Sequence, residues 1–88
     1  MRTIWKYPLE IADRQVVRMP SGAQVLSAQV QHGQLCLWAI VDDDRDVADT
    51  QVHIAGTGHP LDAINPSWRH VGTVQMLEGR LVFHVFVQ

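Results

Sequence analysis

Apolar and polar residues alternate along most of this chain, and a period of two marks half-buried β-strands. Thr3 to Tyr7 sets Trp5 and Tyr7 on one face and Ile4 and Lys6 on the other, and Pro8 ends the run. Gln15 to Met19 predicts a second short strand around Val16 and Val17. Pro20-Ser21-Gly22-Ala23 follows as a tight turn, with proline expected at the first central position and a positive φ at Gly22. Gln24 to Gln31 alternates again, with Leu26, Ala28 and Val30 pointing one way and Ser27, Gln29 and Gln31 the other. His32-Gly33 reads as a two-residue hairpin turn leading into Gln34 to Asp42. That next strand is apolar on both faces: Leu37, Ala39 and Val41 on one, Cys36, Trp38 and Ile40 on the other.

Asp42 to Asp49 predicts a solvated acidic loop. Gln51 to Ala55 is a strand with Val52 and Ile54 inward and His53 on a wet face, broken by Gly56-Thr57-Gly58-His59-Pro60. Leu61 to Asn65 has room for one helical turn before Pro66. Trp68 to Leu77 and Arg80 to Val87 flank Glu78-Gly79, a second hairpin signal. No helical periodicity lasts beyond a turn or two, and no repeat or linker divides the chain. The expectation is one all-β domain over residues 1–88, with at most one short helical turn. It would be a rolled antiparallel sheet, a small barrel or a sandwich of about 6–7 strands.

The last strand is also apolar on both faces: Leu81, Phe83, Val85 and Val87 against Val82, His84 and Phe86. One flat layer cannot cover two such strands, so the sheet must curl or a second subunit must cover it. A homodimer is therefore an expected form.

Eighty-eight residues exclude the large nucleotide-binding and barrel scaffolds. Charge is segregated. Arg2, Lys6, Arg14 and Arg18 against Glu10 and Asp13 leave residues 1–18 at +2, and residues 19–41 carry no charge. Residues 42–62 stand at −5, from six aspartates against Arg45. No dense Lys/Arg cluster marks a nucleic-acid footprint. The one cysteine, Cys36, excludes an intramolecular disulfide and a Cys-rich zinc site. With no apolar secretory stretch near Met1 and no run of membrane length, the expected location is the cytoplasm.

Candidate chemistry is sparse. The histidines form no His-x-His or His-x₃-His pair, and His53, His59 and Asp62 are only loosely gathered, so no metal and no cofactor is assigned. Read as a calcium loop from Asp42, Asp44 and Asp46, the acidic run has Val47 where glycine is needed and His53 where a bidentate glutamate is needed. Cys36 lies in an apolar strand and the serines lack a nucleophile elbow, so no catalytic residue is assigned and no enzymatic activity is expected. The most distinctive string is Gly56, Thr57, Gly58 and His59, where glycines let backbone N–H groups approach an anion. With Trp68, Arg69 and His70 it forms the candidate ligand-binding set, a small anion or nucleotide being the alternative ligand to a protein partner. Trp68 is the tryptophan expected to be partly exposed.

The strings Thr3-Ile4-Trp5-Lys6-Tyr7-Pro8, Met19-Pro20-Ser21-Gly22-Ala23, Leu35-Cys36-Leu37-Trp38-Ala39, Gly56-Thr57-Gly58-His59-Pro60, Val71-Gly72-Thr73 and Leu81-Val82-Phe83-His84-Val85-Phe86 occur in this order. As a set they resemble a family of small phage and prophage proteins that carries only a domain-of-unknown-function label. That resemblance implies a viral accessory protein in a host cytoplasm, acting by binding a host or phage protein, with host defence as one target. It implies no reaction.

Overall fold

The computed structural model describes residues 1–61, 64 and 67–88. Among these the alternating segments form seven strands: β1 (Arg2–Pro8), β2 (Arg14–Pro20), β3 (Gln24–Gln31), β4 (Gln34–Asp42), β5 (Val47–Gly56), β6 (Arg69–Met76) and β7 (Leu81–Val87). They build two antiparallel sheets, one in the order β1-β4-β3 and one in the order β2-β5-β7-β6. The barrel does not close, and the architecture is sandwich-like. The helical turn expected at residues 61–65 falls largely outside the described residues. There, Ile64 N–H donates to the Leu61 carbonyl at 3.0 Å.

The inner faces hold the core. Val25, Ala28, Leu35, Leu37, Ala39 and Val41 come from the first sheet; Met19, Val52, Ile54, Val74, Val85 and Val87 come from the second. Each fully buried Val, Leu or Met removes enough apolar surface from water to stabilise the fold by roughly 1.5–3 kcal/mol. The sheets meet edge to edge at β3 and β6. Gly72 lies so close to β3 that an added Cβ would sit 2.5 Å from the Ala28 carbonyl oxygen. Arg69 Nη2 donates to the Val25 carbonyl at 2.6 Å across the same joint. Both edge strands bulge there, between Val25 and Ser27 and between His70 and Gly72, which bends each strand towards the other.

Several expectations change at specific residues. The bulge in β3 turns Val25 inward, 4% exposed, and leaves Leu26 outward at 42%, parting Leu26 from the face expected to hold it with Ala28 and Val30. The acidic loop shrinks, because Val47, Ala48 and Asp49 pair with Pro20, Met19 and Arg18 of β2 and so begin β5. Pro20 stands at the first position of its turn and accepts from Ala23 N–H, while Gly22 takes φ 78°. The β3–β4 turn has φ 50° at His32 and 78° at Gly33, the twist a two-residue hairpin requires. The β6–β7 turn is longer than Glu78-Gly79. Positive φ begins at Leu77, and Arg80 N–H closes onto the Leu77 carbonyl.

The outer faces are partly covered within one chain, with Trp38 and Ile40 of β4 and Val82, His84 and Phe86 of β7 left half-buried. Lys6 Nζ donates to Gln31 Oε1 at 2.9 Å, and the bridge crosses β4 over Cys36, which is 1% exposed. Trp68, on the connection from β5 to β6, packs edge-on to His53 with ring centroids 6.0 Å apart. His53 is thus buried on the outer face of its sheet instead of being wet.

Candidate functional site

The expected ligand-binding residues separate into several settings. Gly56 ends β5 opposite Phe83, and the His59 ring lies where a Cβ on Gly56 would stand, 2.8 Å from the nearest ring carbon. The first glycine therefore admits an imidazole. His59 and Gly56, with Ile11, Ala12, Asp13, Ile54 and Phe83, line a cavity of about 180 Å³. Gly58 takes φ 88° in the exposed turn that follows. The Arg69 guanidinium is engaged with the Val25 carbonyl of the opposite sheet. Trp68 is half-buried on His53.

Thr57 and His70 are brought into one network through two residues that sequence reasoning left unassigned, Thr73 and His84. Thr57 Oγ1 lies 2.8 Å from His84 Nε2, and Thr73 Oγ1 lies 3.0 Å from His84 Nδ1. His70 Nε2 reaches the same Thr73 hydroxyl at 3.0 Å, and its ring meets Phe86 edge-on. A neutral imidazole has one donor and one acceptor nitrogen, so one threonine accepts from His84 and the other donates to it. The chain Thr57–His84–Thr73–His70 ties the start of the β5–β6 connection to β7 and β6. The sequence signal was available: Thr73 faces His84 once β6 and β7 form a hairpin.

A second feature lies at the side opposite the β3/β6 joint, where β1 and β2 are the outermost strands of their sheets. In β1, Leu9 N–H donates to Leu35 and Asp43 N–H donates to Met1, so the odd-numbered residues bond to β4. In β2, Ile54 N–H donates to Asp13 and Ser21 N–H donates to Asp46, so again the odd-numbered residues bond to β5. The even-numbered residues turn their N–H and C=O groups to the open edge. These are Arg2, Ile4, Lys6 and Pro8 in β1, and Arg14, Val16, Arg18 and Pro20 in β2. Both series run cation, β-branched aliphatic, cation, proline. The two prolines, which have no N–H, fall on the free side in each case. Ile4 is 55% exposed, Val16 50% and Trp5 42%. Trp5 is thus the more exposed tryptophan of the two, and Trp68 is partly exposed as expected. Tyr7, beside it, has a buried hydroxyl with no partner among the described residues, and burial pushes its pKa up.

Asp42, Asp43 and Asp44 form the one cluster of potential metal ligands among the described residues, and the Met1 ammonium sits within it, 2.8 Å from Asp43 and 3.0 Å from Asp44. The hydrogen bonds it donates to Asp43 and then Asp44 push the ammonium pKa up to about 11. The Asp44 backbone N–H holds the Asp42 carboxyl below its usual range. Among the described residues His53 and His59 join no such cluster, and Asp62 lies outside them. No described helix is long and apolar enough to cross a membrane.

The model of one protein family, described as Domain of unknown function (DUF7352), matches residues 1–88. No curated protein and no solved structure matches the chain.

Proposed function

The chain belongs to the DUF7352 family, a domain of unknown function, and we propose that it is a non-enzymatic protein-binding domain that adds an extended segment of its partner to an open sheet edge. The observation that carries this reading is the pair of edges at β1 and β2. Each turns backbone groups outward along the same series of cation, β-branched aliphatic, cation and proline, the first three giving N–H and C=O and the proline C=O alone, and Trp5 stands exposed beside one of them. Edge addition gains affinity from main-chain bonds and specificity from alternate side chains. The other two edges, β3 and β6, shield one another at the joint. The resemblance to small phage and prophage proteins supports a host or phage protein as the partner, met in a host cytoplasm. The nucleotide reading has less support, because His59 covers Gly56 and Arg69 is engaged between the sheets.

The test is an affinity capture with matched baits: the unaltered chain, Ile4→Pro and Val16→Pro. Proline at these positions removes only an outward N–H and keeps the ladder to β4 or β5. A partner kept by the unaltered bait and lost by one edge variant supports the reading. A partner retained equally by both edge variants refutes it.

A further inference from the structure

We propose that the β1 edge selects an acidic extended segment, with carboxylates two residues either side of a β-branched aliphatic residue. This rests on the edge-addition reading and specifies its partner. A strand laid antiparallel on β1 places three residues of one face opposite Lys6, Ile4 and Arg2. Carboxylates opposite the two cations and an aliphatic residue opposite Ile4 complement that face. The residue between the first two falls opposite Trp5 on the other face and is best apolar, since a partly exposed tryptophan is a strong anchor.

The β2 edge is the poorer site for such a segment. Arg18 already has Asp49 at 3.8 Å. In β1, Lys6 is bonded to the neutral Gln31, and Arg2 makes no ion pair among the described residues although its ladder partner is Asp42, whose carboxylate is held by the Met1 ammonium; the position between them is the exposed Ile4. A second copy of the chain fits less well. Self-pairing centred on Ile4 sets Arg2 against Lys6, like charges directly opposed. Centred on Trp5, each end meets Pro8 and loses a donor.

The probe is a fluorescently labelled peptide, Gly-Glu-Phe-Val-Thr-Glu-Gly, titrated against the full chain by anisotropy at low ionic strength. Its counterpart has both glutamates replaced by lysine. The glutamate peptide is expected to bind at least tenfold more tightly, to weaken as salt rises, and to lose its advantage in Lys6→Glu. Hydrogen exchange is expected to slow at the Ile4 and Lys6 amides, and not at Val16 and Arg18. Ile4→Pro should abolish binding while leaving the circular dichroism spectrum unchanged. If Ile4→Pro fails to fold, the exchange pattern alone decides. Equal binding of both peptides, with Ile4 and Lys6 protected, overturns the acidic preference and leaves edge addition standing. Binding without that protection overturns edge addition as well. Failure of both peptides to bind overturns the acidic preference. So does sedimentation showing a dimer that Ile4→Pro dissolves, which assigns the edge to a second copy.

Discussion

Replacing Gly72 by alanine places a methyl group between the two sheets. Its carbon would lie 2.5 Å from the Ala28 carbonyl oxygen and 3.2 Å from the Ala28 Cβ. Restoring ordinary contact means opening the joint by about 0.9 Å, against backbone atoms held in the β3–β4 ladder. Overpacking of this kind costs about 1–3 kcal/mol. The lower entropy of an alanine-containing unfolded chain returns only about 0.4–1 kcal/mol. The Arg69–Val25 hydrogen bond spans the same joint and lengthens with it, so the net effect is destabilising. For a domain of this size about 1 kcal/mol moves the melting temperature by roughly 4–8 °C. The assay is urea and thermal unfolding of Gly72→Ala beside Gly56→Ala. In the second variant the obstructing atoms belong to the His59 ring, which can swing away, so the loss should stay below about 1 kcal/mol. Adding Ala28→Gly to Gly72→Ala should recover little, because the nearest atom is backbone. A Gly72→Ala protein as stable as the parent would refute the close approach of β3 and β6.

Other outcomes are expected. Trp68→Ala should uncover His53 and cost less than the ~3–5 kcal/mol of a fully buried tryptophan, because Trp68 is only half-buried, with faster exchange at the His53 amide. Thr73→Val removes the hydroxyl shared by His70 and His84; it should cost about 1 kcal/mol and alter the ¹⁵N shifts of the His84 ring. The Met1 ammonium has its folded pKa raised from 8.0 to about 11, so its contribution is complete below pH 8 and is lost as pH climbs towards 11. Asp42 runs the other way: its pKa is depressed, so its contribution is present above the usual carboxylate range and is lost as pH falls. Asp43→Asn should flatten the alkaline limb in unfolding titrations of wild type and variant, and an unchanged limb would count against that ion pair.

The strands were legible because alternation coincides with burial over most of their length. Legibility failed where a local device shifts the pattern. Leu26 and Val25 exchange sides because one extra residue in β3 changes the parity, and no composition signal marks a bulge. The start of β5 was hidden because Val47 to Asp49 pair only with β2 beyond the core, where no apolar face is needed. The likeness of β1 and β2 was unreadable from sequence, since only the ladder parity shows that Arg2, Ile4 and Lys6 occupy the same edge role as Arg14, Val16 and Arg18. The candidate ligand set dispersed for a related reason. Arg69 follows the β6 bulge across the joint, and His59 turns back onto Gly56. Thr57 and His70 stay together because both reach His84 of β7, the strand between β5 and β6: Thr57 directly and His70 through Thr73.

The connectivity has a consequence for the order in which the molecule assembles. The β3–β4 and β6–β7 pairs are hairpins between consecutive strands, which close with little loss of chain entropy. The strands β1 and β2 must instead reach past two intervening strands to find β4 and β5. Pairings of such range form late and slowly, and they open first in local unfolding. The edge assigned to partner capture thus belongs to the long-range pairings of the molecule, together with β2–β5 and β5–β7. A newly made chain cannot present it until β4 is in place beside β3, and an occupied β1 edge would hold closed a strand that has β4 as its one ladder partner.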